Sequence, residues 1–137
     1  MKLTYACIRN IRALFLVLLC TATLLTGCKA SPADPALEIG SAPIHEIDIR
    51  IAESYPPQVF VYIKGGLSDS CTTFREINTS RSGQTINIEV TVQRPVNQIC
   101  AQVYGYFEKN VALGSDFVAG KTYIVKVNTE TRTFVIP

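Results

Sequence analysis

The chain has 137 residues, with 13 Lys or Arg against 11 Asp or Glu, and five cysteines. That length suits one domain with one core. The charges nearly balance and form no basic cluster, so a nucleic-acid partner has no electrostatic footing.

Lys2, Arg9 and Arg12 make the first twelve residues positive, with no acidic residue among them. The apolar run Ala13 to Leu25 (ALFLVLLCTATLL) follows. At about 13 residues it falls short of the roughly 20 that span a bilayer as a helix. A basic head, a short apolar middle and a small-residue exit are the parts of a secretory signal peptide, expected here over residues 1–27. The exit itself, Leu25-Thr26-Gly27-Cys28, resembles the lipobox of bacterial lipoproteins. The resemblance implies diacylglyceryl transfer to the Cys28 thiol, cleavage before Cys28 and acylation of the new amino terminus. A thiol is the nucleophile that such a transfer needs, and two or more acyl chains anchor stably where one holds weakly. The expected partner of Cys28 is therefore a membrane. The expected location is the cell envelope, on the outer side of the cytoplasmic membrane or in an outer membrane.

Cys7 and Cys20 would leave with the signal, and Cys28 would take lipid. Cys71 and Cys100 remain, an even pair in an exported chain, which reads as one disulfide. A metal site or a redox pair is the alternative, but the two lack zinc-type spacing and histidine neighbours and form no C-x-x-C. Without residues 1–27 the chain carries 10 basic and 11 acidic residues.

Lys29 to Pro43 (KASPADPALEIGSAP) has no apolar period, and Pro32, Pro35 and Pro43 disfavour helix. Residues 28–43 are expected to be a tether and residues 44–137 a single all-β domain. Ile47, Ile49 and Ile51 alternate with Asp48 and Arg50. Val59, Val61 and Ile63 alternate with Phe60 and Tyr62. Ile86, Ile88, Val90 and Val92 alternate with Asn87, Glu89 and Thr91, and Tyr123, Val125 and Val127 repeat the pattern. Period two marks a sheet with one buried face. Turn-like stretches separate these runs, among them Lys64-Gly65-Gly66, read as a hairpin turn. The spacing predicts about seven strands, at 45–53, 57–64, 72–79, 84–94, 99–108, 121–128 and 131–136. This points to an immunoglobulin-like Greek-key β-sandwich, with a small barrel as the alternative. Cys71 lies beside a loop, so the disulfide is expected to pin that loop to a strand starting near Ile99.

Several short motifs follow one another along the chain: Gly66-Leu67-Ser68-Asp69-Ser70-Cys71, Arg94-Pro95, Cys100-Ala101-Gln102, Phe107-Glu108, Leu113-Gly114, and Gly120-Lys121-Thr122-Tyr123 with Val125, Val127 and Asn128. This order resembles a family of uncharacterised bacterial envelope lipoprotein domains with an immunoglobulin-like sandwich. The resemblance covers about residues 57–128. It implies the fold and the disulfide, and no activity.

Chemistry is sparse. His45 is the one histidine and reads as a solvated strand-end residue. Ser68, Asp69 and Ser70 read as turn formers. The carboxylates are scattered, no EF-hand loop occurs, and Lys64-Gly65-Gly66 lacks the ending of a P-loop. No catalytic residue, metal or cofactor is expected. Tyr104-Gly105-Tyr106-Phe107 is the aromatic cluster. On a strand, Tyr104 and Tyr106 share one face while Val103 and Phe107 take the other. If the latter pair is core, two tyrosines stand outside, where they could bind sugar rings or a protein. Arg94 precedes a loop held near the disulfide and is a further binding candidate. The sequence thus reads as a non-enzymatic, lipid-anchored binding or accessory domain, with an envelope protein or a glycan as partner. The alternative is a chagasin-like cysteine protease inhibitor, echoed only by Arg94-Pro95-Val96.

Overall fold

Residues 35–137, which the computed structural model describes, fold into eight strands. They are β1 (Leu37–Ser41), β2 (Ile44–Ala52), β3 (Gln58–Leu67), β4 (Thr73–Ser82), β5 (Thr85–Pro95), β6 (Gly105–Gly114), β7 (Thr122–Val127) and β8 (Glu130–Val135). The expected signal segment and Cys28 lie outside the described residues. A three-stranded sheet runs β2-β3-β6, and a five-stranded sheet holds β1, β4, β5, β7 and β8. The β-sandwich expected from the alternation is present.

The inward residues follow the period-two pattern. Val59, Val61 and Ile63 of β3 are fully buried, as are Val90, Val125 and Val127 opposite them, with Ile86 and Ile88 nearly so. Each such side chain contributes roughly 1.5–3 kcal/mol by leaving water. At one end of the core Tyr123 stacks on Phe134 at 5.4 Å, and Phe117 meets Tyr123 edge-on at 4.9 Å. The buried Tyr123 hydroxyl accepts from the Val118 N–H at 2.9 Å, so its burial leaves no orphan.

β5 is the hub of the larger sheet. One of its edges pairs with β4 along nearly its whole length. The other edge is divided. Residues 91–95 pair antiparallel with β1, and residues 85–88 pair parallel with β7. Two-residue turns close the β4–β5 and β7–β8 hairpins, and each begins with a left-handed residue, Gly83 (φ 59°) and Asn128 (φ 50°). Glycine adopts that conformation freely and asparagine tolerates it.

Four expectations about the strands need correction. The tether was expected to reach residue 43, yet Leu37–Ser41 is strand β1, paired with β5 from Leu37↔Pro95 to Ser41↔Thr91. Pro35 and Pro43 flank this strand and do not interrupt it. Lys64-Gly65-Gly66 is no hairpin turn. It continues β3, with Gly65 between Ile44 and Phe107 and Gly66 beside Tyr106. The strand expected over 99–108 begins only at Gly105, and Val103 is exposed, not core. Finally, the described residues hold eight strands, because β1 was hidden in the tether.

Candidate functional site

The outward face of the three-stranded sheet carries the aromatic residues. Along β3 the outward positions are Phe60, Tyr62, Lys64 and Gly66, because Val59, Val61 and Ile63 point inward. Their partners on β2 are Arg50, Asp48 and Glu46; on β6 they are Ala112, Asn110, Glu108 and Tyr106. No Leu, Ile or Val stands in these rows. The outward face of the five-stranded sheet is different, with the pairs Asn78–Glu89, Ser80–Asn87 and Asn87–Lys126.

A β-bulge brings His45 into the first face. Ile44 pairs with Gly65 and Glu46 with Lys64, leaving His45 as the extra residue. Bulges re-aim a side chain in this way. His45 Nε2 lies 2.7 Å from the Tyr104 hydroxyl. Its ring meets Tyr104 and Tyr106 edge-on, at 5.8 and 5.4 Å between centroids. Tyr104 and Tyr106 are themselves edge-on at 5.4 Å, and both are about half exposed. The Lys64 ammonium sits 5.1 Å from the Tyr106 centroid.

Gly66 is the floor of this cluster. A Cβ there would overlap the Tyr104 hydroxyl and come within 2.8 Å of His45 Nε2. Gly65 does the same on the inner side, where a Cβ would overlap the Phe107 ring. Glycines inside a strand mark such close approaches. The two adjacent glycines therefore seat one aromatic group on each face of β3.

Arg94 takes no part in these contacts. Its Nε donates to Asp69 Oδ2 at 2.7 Å and its Nη2 to the Gln98 carbonyl at 3.3 Å. Asp69 is 7% exposed, and its other oxygen accepts from the Cys71 and Thr72 N–H groups and from the Thr72 hydroxyl. Arg94, followed by those hydroxyl and N–H donors, holds the Asp69 carboxyl down from an ordinary 3.8 to about 2. Arg94 is thus a brace, and Arg94-Pro95 belongs to β5 instead of a free loop.

Cys71 and Cys100 are bonded, with their Cα atoms 5.7 Å apart. The bridge joins two loops, β3–β4 and β5–β6, not a loop and a strand. Ser70 and Ala101 add a reciprocal pair of hydrogen bonds, each 3.0 Å. Asp69, Cys71 and Cys100 lie close enough together to resemble a metal site. However, the sulfurs are bonded to each other, and the carboxylate is filled by Arg94 and the loop. This loop pair leads directly into Tyr104.

Sequence reasoning paired the two tyrosines but missed His45. The signal was present: Ile44, Ile47, Ile49 and Ile51 are spaced three, two and two, and the odd step is the bulge.

The profile of the ORF11 beta-sandwich domain matches residues 61–136, more than half of the chain. The chain belongs to the ORF11 beta-sandwich domain family. Two relatives come from Herpetosiphon aurantiacus. One is the "Uncharacterized 10.2 kDa protein in HgiCIIM 5'region", 40% identical over 85 residues, which cover 62% of this chain and 89% of that protein. Another is the "Uncharacterized 10.2 kDa protein in HgiBIM 5'region", 40% identical over 75 residues, which cover 55% of this chain and 90% of that protein. No solved structure matches. The ORF11 domain match takes in β3 from Val61 onward together with β6, and hence Gly65, Gly66, Tyr104 and Tyr106.

Proposed function

We propose that this ORF11-family chain is a lipid-anchored protein of the bacterial cell envelope, with a non-enzymatic sandwich that binds through the outward face of β2, β3 and β6. The observation that carries the binding reading is the His45–Tyr104–Tyr106 cluster on bare Gly66 backbone. Half-exposed aromatic rings held in fixed mutual geometry offer apolar area at little cost in rotamer freedom. The bulge at His45 and the glycine at position 66 are devoted to holding them. The Leu25-Thr26-Gly27-Cys28 box supports the anchor.

Two measurements test the reading. The membrane-extracted chain should have an intact mass that begins at Cys28 and includes lipid; a soluble chain retaining Met1 would sink the anchor. In cells, photo-crosslinking from position 106 should capture a specific envelope component. A crosslinking pattern equal to that from exposed Asn87 on the opposite sheet would sink the binding face.

A further inference from the structure

We infer that the outward face of β2, β3 and β6 takes a neutral, β-linked chain of pyranose sugars laid along β3. This rests on the binding reading above and names the ligand class.

Three observations carry it. The first is shape. Phe60, Tyr62, Lys64 and Gly66 with its neighbour Tyr106 form a continuous row. At about 3.4 Å per residue the row from position 60 to 66 is roughly 20 Å long. Phe60, Tyr62 and Lys64 are each partly exposed along it, so a row of this length suits an extended ribbon of linked rings better than a single small molecule. The His45–Tyr104 pair stands at its Gly66 end.

The second is alternation. A pyranose has an apolar C–H face and a rim of hydroxyls. A protein partner would favour an interface core depleted of charged groups. Here polar and charged groups stand beside the rings Phe60 and Tyr62 and beside Lys64, while Tyr106 faces Gly66. Tyr62 pairs with Asp48 and Asn110, Phe60 with Arg50, and Lys64 with Glu46 and Glu108. Rings for C–H faces and carboxylates, amides and cations for hydroxyls lie side by side.

The third is charge. Glu46, Asp48 and Glu108 are set against Arg50 and Lys64, and Arg50 Nε already donates to Asp48 Oδ2 at 2.8 Å. Such a mixed face selects neither polyanions nor polycations. The aromatic cluster is also no cage for a cation. Its centroids are only 5.4–5.8 Å apart, so the rings touch each other, and Lys64 already lies on Tyr106.

The full chain in detergent micelles is titrated calorimetrically with cellohexaose and with chitohexaose. Saturable binding of either supports the inference, and the preferred one separates plain hydroxyl rims from acetamido-bearing ones. Tyr106→Ala should weaken binding by roughly tenfold. Tyr106→Phe, which keeps the ring, should retain most of the affinity, and Asn87→Ala on the other sheet should bind like the parent. Absence of saturable binding to both glycans, or equal losses in Tyr106→Ala and Asn87→Ala, overturns the inference. Crosslinking from position 106 separates this failure from that of the broader reading. A specific protein adduct without glycan binding removes the sugar and leaves the binding face. No adduct and no glycan binding removes both.

Discussion

The side chain of Asn128 completes the backbone of Val90. Its Oδ1 accepts from the Val90 N–H at 2.9 Å, and its Nδ2 donates to the Val90 carbonyl at 3.0 Å and to the Ala42 carbonyl at 2.8 Å. Val90 stands where the edge of β5 passes from β7 to β1, so neither strand reaches its N–H. A turn residue thus fills the gap in the ladder. Asn128→Ala should cost about 2–3 kcal/mol, because it orphans that N–H beside a fully buried side chain. Asn128→Gly would ease the left-handed backbone yet lose the same bonds. Urea denaturation of both variants checks this, and parental midpoints would show that water replaces the amide.

The Asp69–Arg94 pair predicts an acid-sensitive component of stability. The folded carboxyl titrates at about 2 and an ordinary one at 3.8. Its stabilisation is complete above pH 4 and is lost as the pH falls toward 2, since the unfolded chain then binds the proton first. Asp69→Asn should lower stability at pH 7 and flatten the dependence between pH 4 and 2. Denaturation at stepped pH values measures the slope; an unchanged slope in the variant would assign the acid sensitivity elsewhere.

The two glycines of β3 should respond differently to the same change. Gly65→Ala pushes into Phe107, which is core, and should cost about 1–3 kcal/mol. Gly66→Ala meets the tip of exposed Tyr104 instead, so it should spare most of the stability while breaking the His45–Tyr104 contact. Denaturation midpoints, with the His45 ring resonances as the second readout, separate the two. Equal destabilisation with unmoved His45 resonances would contradict the described seat.

Cys71→Ser opens a bridge that spans a sequence separation of 29 residues. Restricting an unfolded chain over that length is worth about 3–4 kcal/mol. The Tyr104 segment should also loosen, detectable as faster amide exchange at Val103 to Gly105. An unchanged midpoint with unchanged exchange would leave the bridge without a measurable role.

Much of the sandwich was legible in the sequence, because buried strands write themselves as alternation. Val59, Val61 and Ile63 faced inward as their spacing required, and so did Ile86, Ile88 and Val90. What was not legible depended on partners far along the chain. β1 is exposed along its whole length and is defined by its pairing with β5, so it read as linker together with the prolines and alanines that flank it. Gly65-Gly66 read as a turn because nothing local says that two aromatic groups from β6 and its approach will settle on that backbone. Tyr104 and Tyr106 were expected outside only if Val103 and Phe107 were both core; Phe107 is buried and the tyrosines are half exposed, but Val103 is exposed as well. Arg94 looked available from the sequence, because Asp69, its partner, lies 25 residues away.

The divided edge of β5 also sets an order of events. β4 can zip onto β5 as soon as both exist, through a two-residue turn. The parallel partner β7 arrives only after the disulfide loop and the whole of β6 have been made, and Asn128 arrives later still. Long-range pairing of this kind is slow to form. Until it does, half of β5 offers an open strand edge, beside Ile86 and Ile88, to any other chain. Assembly of this sandwich therefore finishes at its last hairpin, and a chain stopped before residue 122, without β7, would be one prone to stick.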